Sequence, residues 1–147
     1  MSSQSTYKIE FDNLKVKIIN KNFVELYYPE EVDVNMETVL KLDQIIFEKT
    51  EGNKFYLFCS FENSYGSMVS DAQKFLAREA RTVKQIKANA IVINNLPIRL
   101  LVKFYIRFYR PIYATKIFSN AKSARMWLTE KYAHEHYNNS SDLAKAQ

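Results

Sequence analysis

Lys54-Phe55-Tyr56-Leu57-Phe58-Cys59-Ser60 is a short, almost unbroken apolar run that follows directly on Glu51-Gly52-Asn53. An apolar run of this length without alternation is the pattern of a strand buried on both faces, as in a sheet with helices on either side. The stretch before it reads as a helix. Met36, Val39, Leu40, Ile46 and Phe47 recur at helical spacing, and Asn35 supplies an N-cap oxygen. Glu37 suits the positive end of the helix dipole, and Glu51-Gly52-Asn53 is the stop. A second buried strand is predicted over Lys87–Asn94, around Ala90-Ile91-Val92-Ile93.

Outward from this core, the amino-terminal part predicts a meander of three strands, Tyr7–Phe11, Leu14–Ile19 and Phe23–Tyr28. Asp12-Asn13 and Asn20-Lys21-Asn22 are the turns between them. Leu14-Lys15-Val16-Lys17-Ile18 alternates strictly, so one face of that strand meets the core. Downstream, Ser70 is read as the cap of a helix over Asp71–Arg81 that turns Phe75 and Leu76 inward. A third helix covers Leu96–Tyr109, with Pro97 tolerated in its first turn and Pro111 enforcing its end. Thr115–Phe118 is a short strand. Ser119 or Asn120 then caps a last helix, Ala121–His134, which presents Ala124, Trp127, Leu128 and Tyr132 to the core. The alternation of strands and helices after the meander predicts one α/β sheet with helices against it. Residues 1–6 read as a disordered start, 7–137 as a single domain, and 138–147 as a mobile tail.

Composition sets the outer limits. A chain of 147 residues with 47% hydrophobic and 25% charged residues is globular and long enough to bury a core unaided. Cys59 is the single cysteine and reads as a small buried hydrophobe, so no internal disulfide is expected. The first ten residues lack the apolar stretch of a signal peptide, and no segment approaches the roughly 18 apolar residues of a membrane span; a cytoplasmic location is expected. Charge is asymmetric. Residues 1–62 hold 7 Lys/Arg against 11 Asp/Glu, and residues 63–147 hold 14 against 5.

The stretch Arg107-Phe108-Tyr109-Arg110-Pro111-Ile112-Tyr113-Ala114-Thr115-Lys116-Ile117-Phe118, followed by Ala124-Arg125-Met126-Trp127-Leu128, resembles the end of small bacterial STAS-like domains. These are fold relatives of the anti-sigma-factor antagonists. The shared pattern is a helix ending in an aromatic, a proline, a Thr-Lys strand, a phenylalanine and an Ala-x-x-Trp-Leu helix. The resemblance implies an α/β, STAS-like fold: a mixed sheet of four or five strands with an N-terminal antiparallel meander and about four helices. It further implies a non-enzymatic module that binds a partner protein, sometimes under control of a phosphorylated Ser or Thr after a central strand. The corresponding segment here, Phe61–Asp71, lacks the Asp-Ser-Ser-Gly pattern of the phosphorylated antagonists; Ser67 and Ser70 are its candidate phosphorylation sites, but a Ser before a helix is usually a cap, and that is the leading reading.

The residue types of catalysis and metal binding are sparse. His134 and His136 flank Glu135, but residues two apart on a helix point away from each other, so no metal site is expected. There is no Gly-x-Ser-x-Gly turn, and two glycines cannot build a phosphate-binding loop. Glu30, Glu31 and Asp33 read as solvated charge in a loop before the first helix. No enzyme and no cofactor are expected.

The segment Leu96–Tyr109 is the unusual one. Arg99, Lys103, Arg107 and Arg110 fall within an arc of roughly 80° at about 100° per residue, and apolar side chains fill about 240° of the rest. An ordinary surface helix has an apolar stripe only just over about 100° wide. Internal burial, a self-association or partner surface, and docking on a membrane surface with a basic rim all account for this. The leading expectation is a binding module that forms a homo-oligomer, most simply a dimer, or meets a regulatory protein partner. Its interface would be Leu100, Val102, Phe104 and Ile106, with Arg99, Lys103, Arg107 and Arg110 as a basic rim. Membrane contact and nucleic acid rank lower, the latter for want of a reading motif. The alternative is a carrier of a small apolar ligand or lipid, in a pocket between helix 96–109 and the sheet lined by Tyr105, Phe108 and Trp127.

Overall fold

The computed structural model describes the backbone of residues 5–146 and the side chains as far as Glu135. The meander forms as its turns dictate. β1 (Thr6–Phe11) and β2 (Leu14–Ile19) are joined by Asp12 and Asn13, both at positive φ, the geometry that matches the twist of a two-residue hairpin. β3 (Phe23–Tyr27) follows antiparallel after a turn held by the Asn22 amide donating to the Ile19 carbonyl at 3.1 Å. Helix α1 (Met36–Thr50) begins where expected, with Asn35 Oδ1 accepting the Thr38 amide at 3.0 Å, and ends on Glu51 in the left-handed region. The central strands β5 (Phe55–Ser60) and β7 (Ile86–Val92) follow, then α3 (Leu96–Tyr109), β8 (Ala114–Phe118) and α4 (Ala121–Ala146).

The main sheet has six strands, more than the four or five that the resemblance implies because all three meander strands join it, in the order β1-β2-β3-β5-β7-β8, antiparallel through β3 and parallel from there on. Every residue of β5 is buried. Leu57 and Cys59 share one face with Ile91 of β7, packed with Leu42 and Ile46 of α1 and Ile98 of α3. Tyr56, Phe58, Ala88, Ala90 and Val92 form the other face, against Ala124 and Leu128 of α4. Three alanines at this second contact leave room for α4 to lie close to the sheet.

Four features depart from the expected elements. Glu31–Val34 is a strand, β4, pairing in parallel with β6 (Tyr65–Met68) to make a separate two-stranded sheet. Val32 and Val34 are buried while Glu31 and Asp33 are exposed, so the acidic run is solvated as expected but is not a loop. The helix expected over 71–81 is α2 (Ser70–Lys74), continued by a π-helical turn to Glu79 and, after a break at Ala80, by a 3-10 turn, Arg81–Gln85. Asp43 of α1 anchors that last turn, its carboxylate accepting the amides of Arg81 at 3.2 Å and Thr82 at 2.9 Å. Helix α4 continues past His134 to Ala146. Of the expected disordered start, residues 1–4 lie outside the described residues and Thr6 already belongs to β1; the expected tail over 138–147 and the side chain of His136 lie outside the described side chains.

Candidate functional site

Helix α3 is fixed at both ends and only loosely covered in between. At its start Asn95 Oδ1 accepts the Ile98 amide at 3.0 Å, while Asn95 Nδ2 donates to the Ser64 carbonyl at 2.9 Å. At its end Arg110 takes the left-handed conformation ahead of Pro111. Between these anchors only Ile98 is buried; Val102, Tyr105, Ile106 and Tyr109 are half-buried. The helix spans the sheet face without sealing it.

Beneath it lies a cavity of about 150 Å³. Leu57 and Cys59 of β5 and Asn89 and Ile91 of β7 form its floor, and Val102 and Tyr105 of α3 its roof. Gly66, Ser67 and Leu101 also line it and are exposed, which puts the mouth between β6 and α3. A wholly apolar cavity of about this volume is enough for a benzene-sized guest.

The thiol and hydroxyls of the lining are held in their neutral forms. Burial pushes the Cys59 thiol up to about 12. Tyr105 is likewise held up at about 12 by burial, with its hydrogen bond to Tyr113 acting in the opposite direction. Tyr28 and Tyr113 are raised well above the ordinary tyrosine value, burial again being the main cause. Tyr113 also donates its hydroxyl to the Leu76 carbonyl at 3.0 Å, which braces α3 through Tyr105 against the π-helical turn. All four groups are uncharged at neutral pH. Among the described residues Asp43 is the one charged residue of the lining, and backbone amides already occupy its carboxylate. Asn89 is 4% exposed, and its Oδ1 has no hydrogen-bond partner among the described residues.

The residues singled out in the sequence are only partly brought together. Of the trio Tyr105, Phe108 and Trp127, Tyr105 alone lines this cavity. Phe108 is 64% exposed on the outer side of α3, stacked on Phe104 at 5.3 Å. Trp127 packs on Phe118 at 5.6 Å with the cluster on the opposite sheet face. The correction follows from topology: α3 and α4 cover opposite faces, so no single pocket reaches both. Leu100 and Phe104 are exposed as an interface requires, whereas Val102 and Ile106 are half-buried and Val102 packs on the core. Lys103, Arg107 and Arg110 are exposed and Arg99 is half-exposed.

Ser67 is exposed on β6. Ser70 is exposed at the first position of α2, whose N-cap is Val69 without a side-chain cap bond, so the expected capping by Ser70 is not made. Among the described residues no group of three or more His, Cys, Asp or Glu could hold a metal ion, and no helix is long and apolar enough to cross a membrane. Asn89 went unremarked in the sequence. Its signal was a polar residue at an inward position, set among Ala88, Ala90, Ile91 and Val92 in the apolar part of the strand.

Residues 17–132 match a family described as a domain of unknown function, DUF7793. The chain belongs to this family. No curated protein matches this DUF7793 chain in sequence. Among solved structures it is similar to an uncharacterized protein of the DUF3478 family with a SpoIIAA-like fold from Shewanella loihica PV-4. The two share 14% identity with a TM-score of 0.52, over 87% of this chain and 98% of that one. The likeness is one of fold, and it agrees with the STAS-like, mixed-sheet architecture expected from residues 107–128.

Proposed function

We propose that this DUF7793 chain is a non-catalytic binding module that holds a small, mostly apolar molecule between α3 and the sheet. The observation that carries this reading is the cavity of about 150 Å³ with a mostly apolar lining and a mouth beside β6. Concave, largely apolar sites with a few convergent polar groups are where proteins take up small molecules. At this size the guest is a fragment of one or two rings, or a short aliphatic, rather than a whole lipid.

The test is native mass spectrometry of protein purified without detergent, together with toluene titration followed by amide chemical shifts. A bound mass, or shifts confined to the cavity walls, is expected. Leu101→Trp, which fills the mouth from a position that is already solvent-exposed, is expected to remove both. A bare chain in every preparation and no response to saturating toluene would sink the reading.

A second reading rests on the other side of the same helix. Leu96, Leu100, Phe104 and Phe108 are each more than half exposed. Such a stripe supports self-association or docking of a regulatory protein partner. The two readings are compatible, because the ligand would lie under α3 and the partner would lie over it.

A further inference from the structure

We infer that the molecule held under α3 is neutral and donates one hydrogen bond, through an N–H or O–H, to Asn89 Oδ1; this rests on reading the cavity as a ligand site. Asn89 faces the cavity from the middle of β7, on the same side as Ile91. It is buried, and its Oδ1 is without a partner among the described residues. Its neighbours across the sheet cannot serve. Leu57, its register partner on β5, is apolar. Thr115, its partner on β8, donates its hydroxyl to the Tyr113 carbonyl at 3.2 Å. Tyr113 donates its own to Leu76. A buried amide oxygen left this way is costly, and a guest that donates to it recovers the loss.

The charge state of the guest follows from the walls. Among the described residues no Lys or Arg lines the cavity, and the one carboxylate, Asp43, is already bonded. A fatty-acid carboxylate or a phosphate would be buried there without a counter-charge, and an ammonium would find no free anion. What remains is an uncharged aromatic or short aliphatic carrying a single donor, of the phenol, indole or alcohol class.

Three bicyclic probes of nearly the same shape separate the possibilities on the unaltered chain. Indole carries an N–H donor, benzofuran only an acceptor, and indene neither. Isothermal titration, with amide shifts as a second readout, is expected to give indole about tenfold tighter binding than indene or benzofuran. In Asn89→Leu the preference is expected to vanish while indene binding persists. Equal affinity for the three, or a preference for benzofuran, overturns the donor assignment and leaves the cavity reading standing. If none of the three binds, the cavity reading falls and this inference with it. The comparison on the unaltered chain decides the matter even if Asn89→Leu fails to fold.

Discussion

A side-chain carbon placed on Gly66 would lie 2.3 Å from the backbone carbonyl oxygen of Val32. The two residues are register partners in the parallel pair of β4 and β6, and Gly66 sits at φ +102°, where other residues are strained. Both the closeness and the backbone conformation therefore require glycine. Gly66→Ala is expected to cost about 2 kcal/mol in denaturant unfolding. The loss of hydrogen-exchange protection should centre on residues 65–68. An alanine variant as stable as the parent, with β6 still protected, would mean that β4 and β6 do not pair as described.

That small sheet is also where the sequence was hardest to read. Glu31-Val32-Asp33-Val34 alternates as a strand should, but with charge on every second residue it passes equally for a solvated loop. Its partner, Tyr65-Gly66-Ser67-Met68, has no alternation, because its place depends on a backbone contact that only a glycine permits. By contrast, Phe55–Ser60, Leu14–Ile19 and the start of α1 at Asn35 carry their structure in local pattern and were legible. The start and end of α3 were legible for the same reason. Which way its faces turn was not, since that depends on the crossover that sets α3 and α4 on opposite sides of the sheet.

The buried hydroxyls and thiol make stability fall at alkaline pH. Cys59 is raised from an ordinary value of 9.0 to about 12, and Tyr105 from 10.0 to about 12, so both keep their protons in the fold at a pH where the unfolded chain has released them. The folded state then binds more protons than the unfolded state, and the free energy of unfolding declines as pH rises. The contribution is whole below about pH 9 and is lost progressively toward pH 12. Denaturant titrations between pH 8 and 11 should give a falling midpoint, with Cys59→Ala removing the earliest part of the fall. A midpoint that stays level from pH 8.5 to 11 would contradict the burial of these groups.

The outer face of α3 leads to a last expectation, a dimer built on Leu100, Phe104 and Phe108. Positions four apart stack along one side of a helix, and the Phe104 and Phe108 rings already stack on each other at 5.3 Å. In a two-fold dimer the same patch serves both subunits, so each exposed ring contributes to the interface twice, once from each subunit. Lys103 and Arg107 lie beside the stripe and would remain at its solvated rim. Val102 and Ile106, turned toward the body of the protein, would contribute little. Phe104→Glu places a charge in the seam at a position that is 59% exposed in the single chain, so it should leave the fold intact and separate the subunits. Sedimentation equilibrium is the measurement. At about 100 μM even a contact of about −6 kcal/mol is visible. A parent chain that remains monomeric there, with Phe104→Glu indistinguishable from it, rules out self-association and leaves the stripe to a different protein partner.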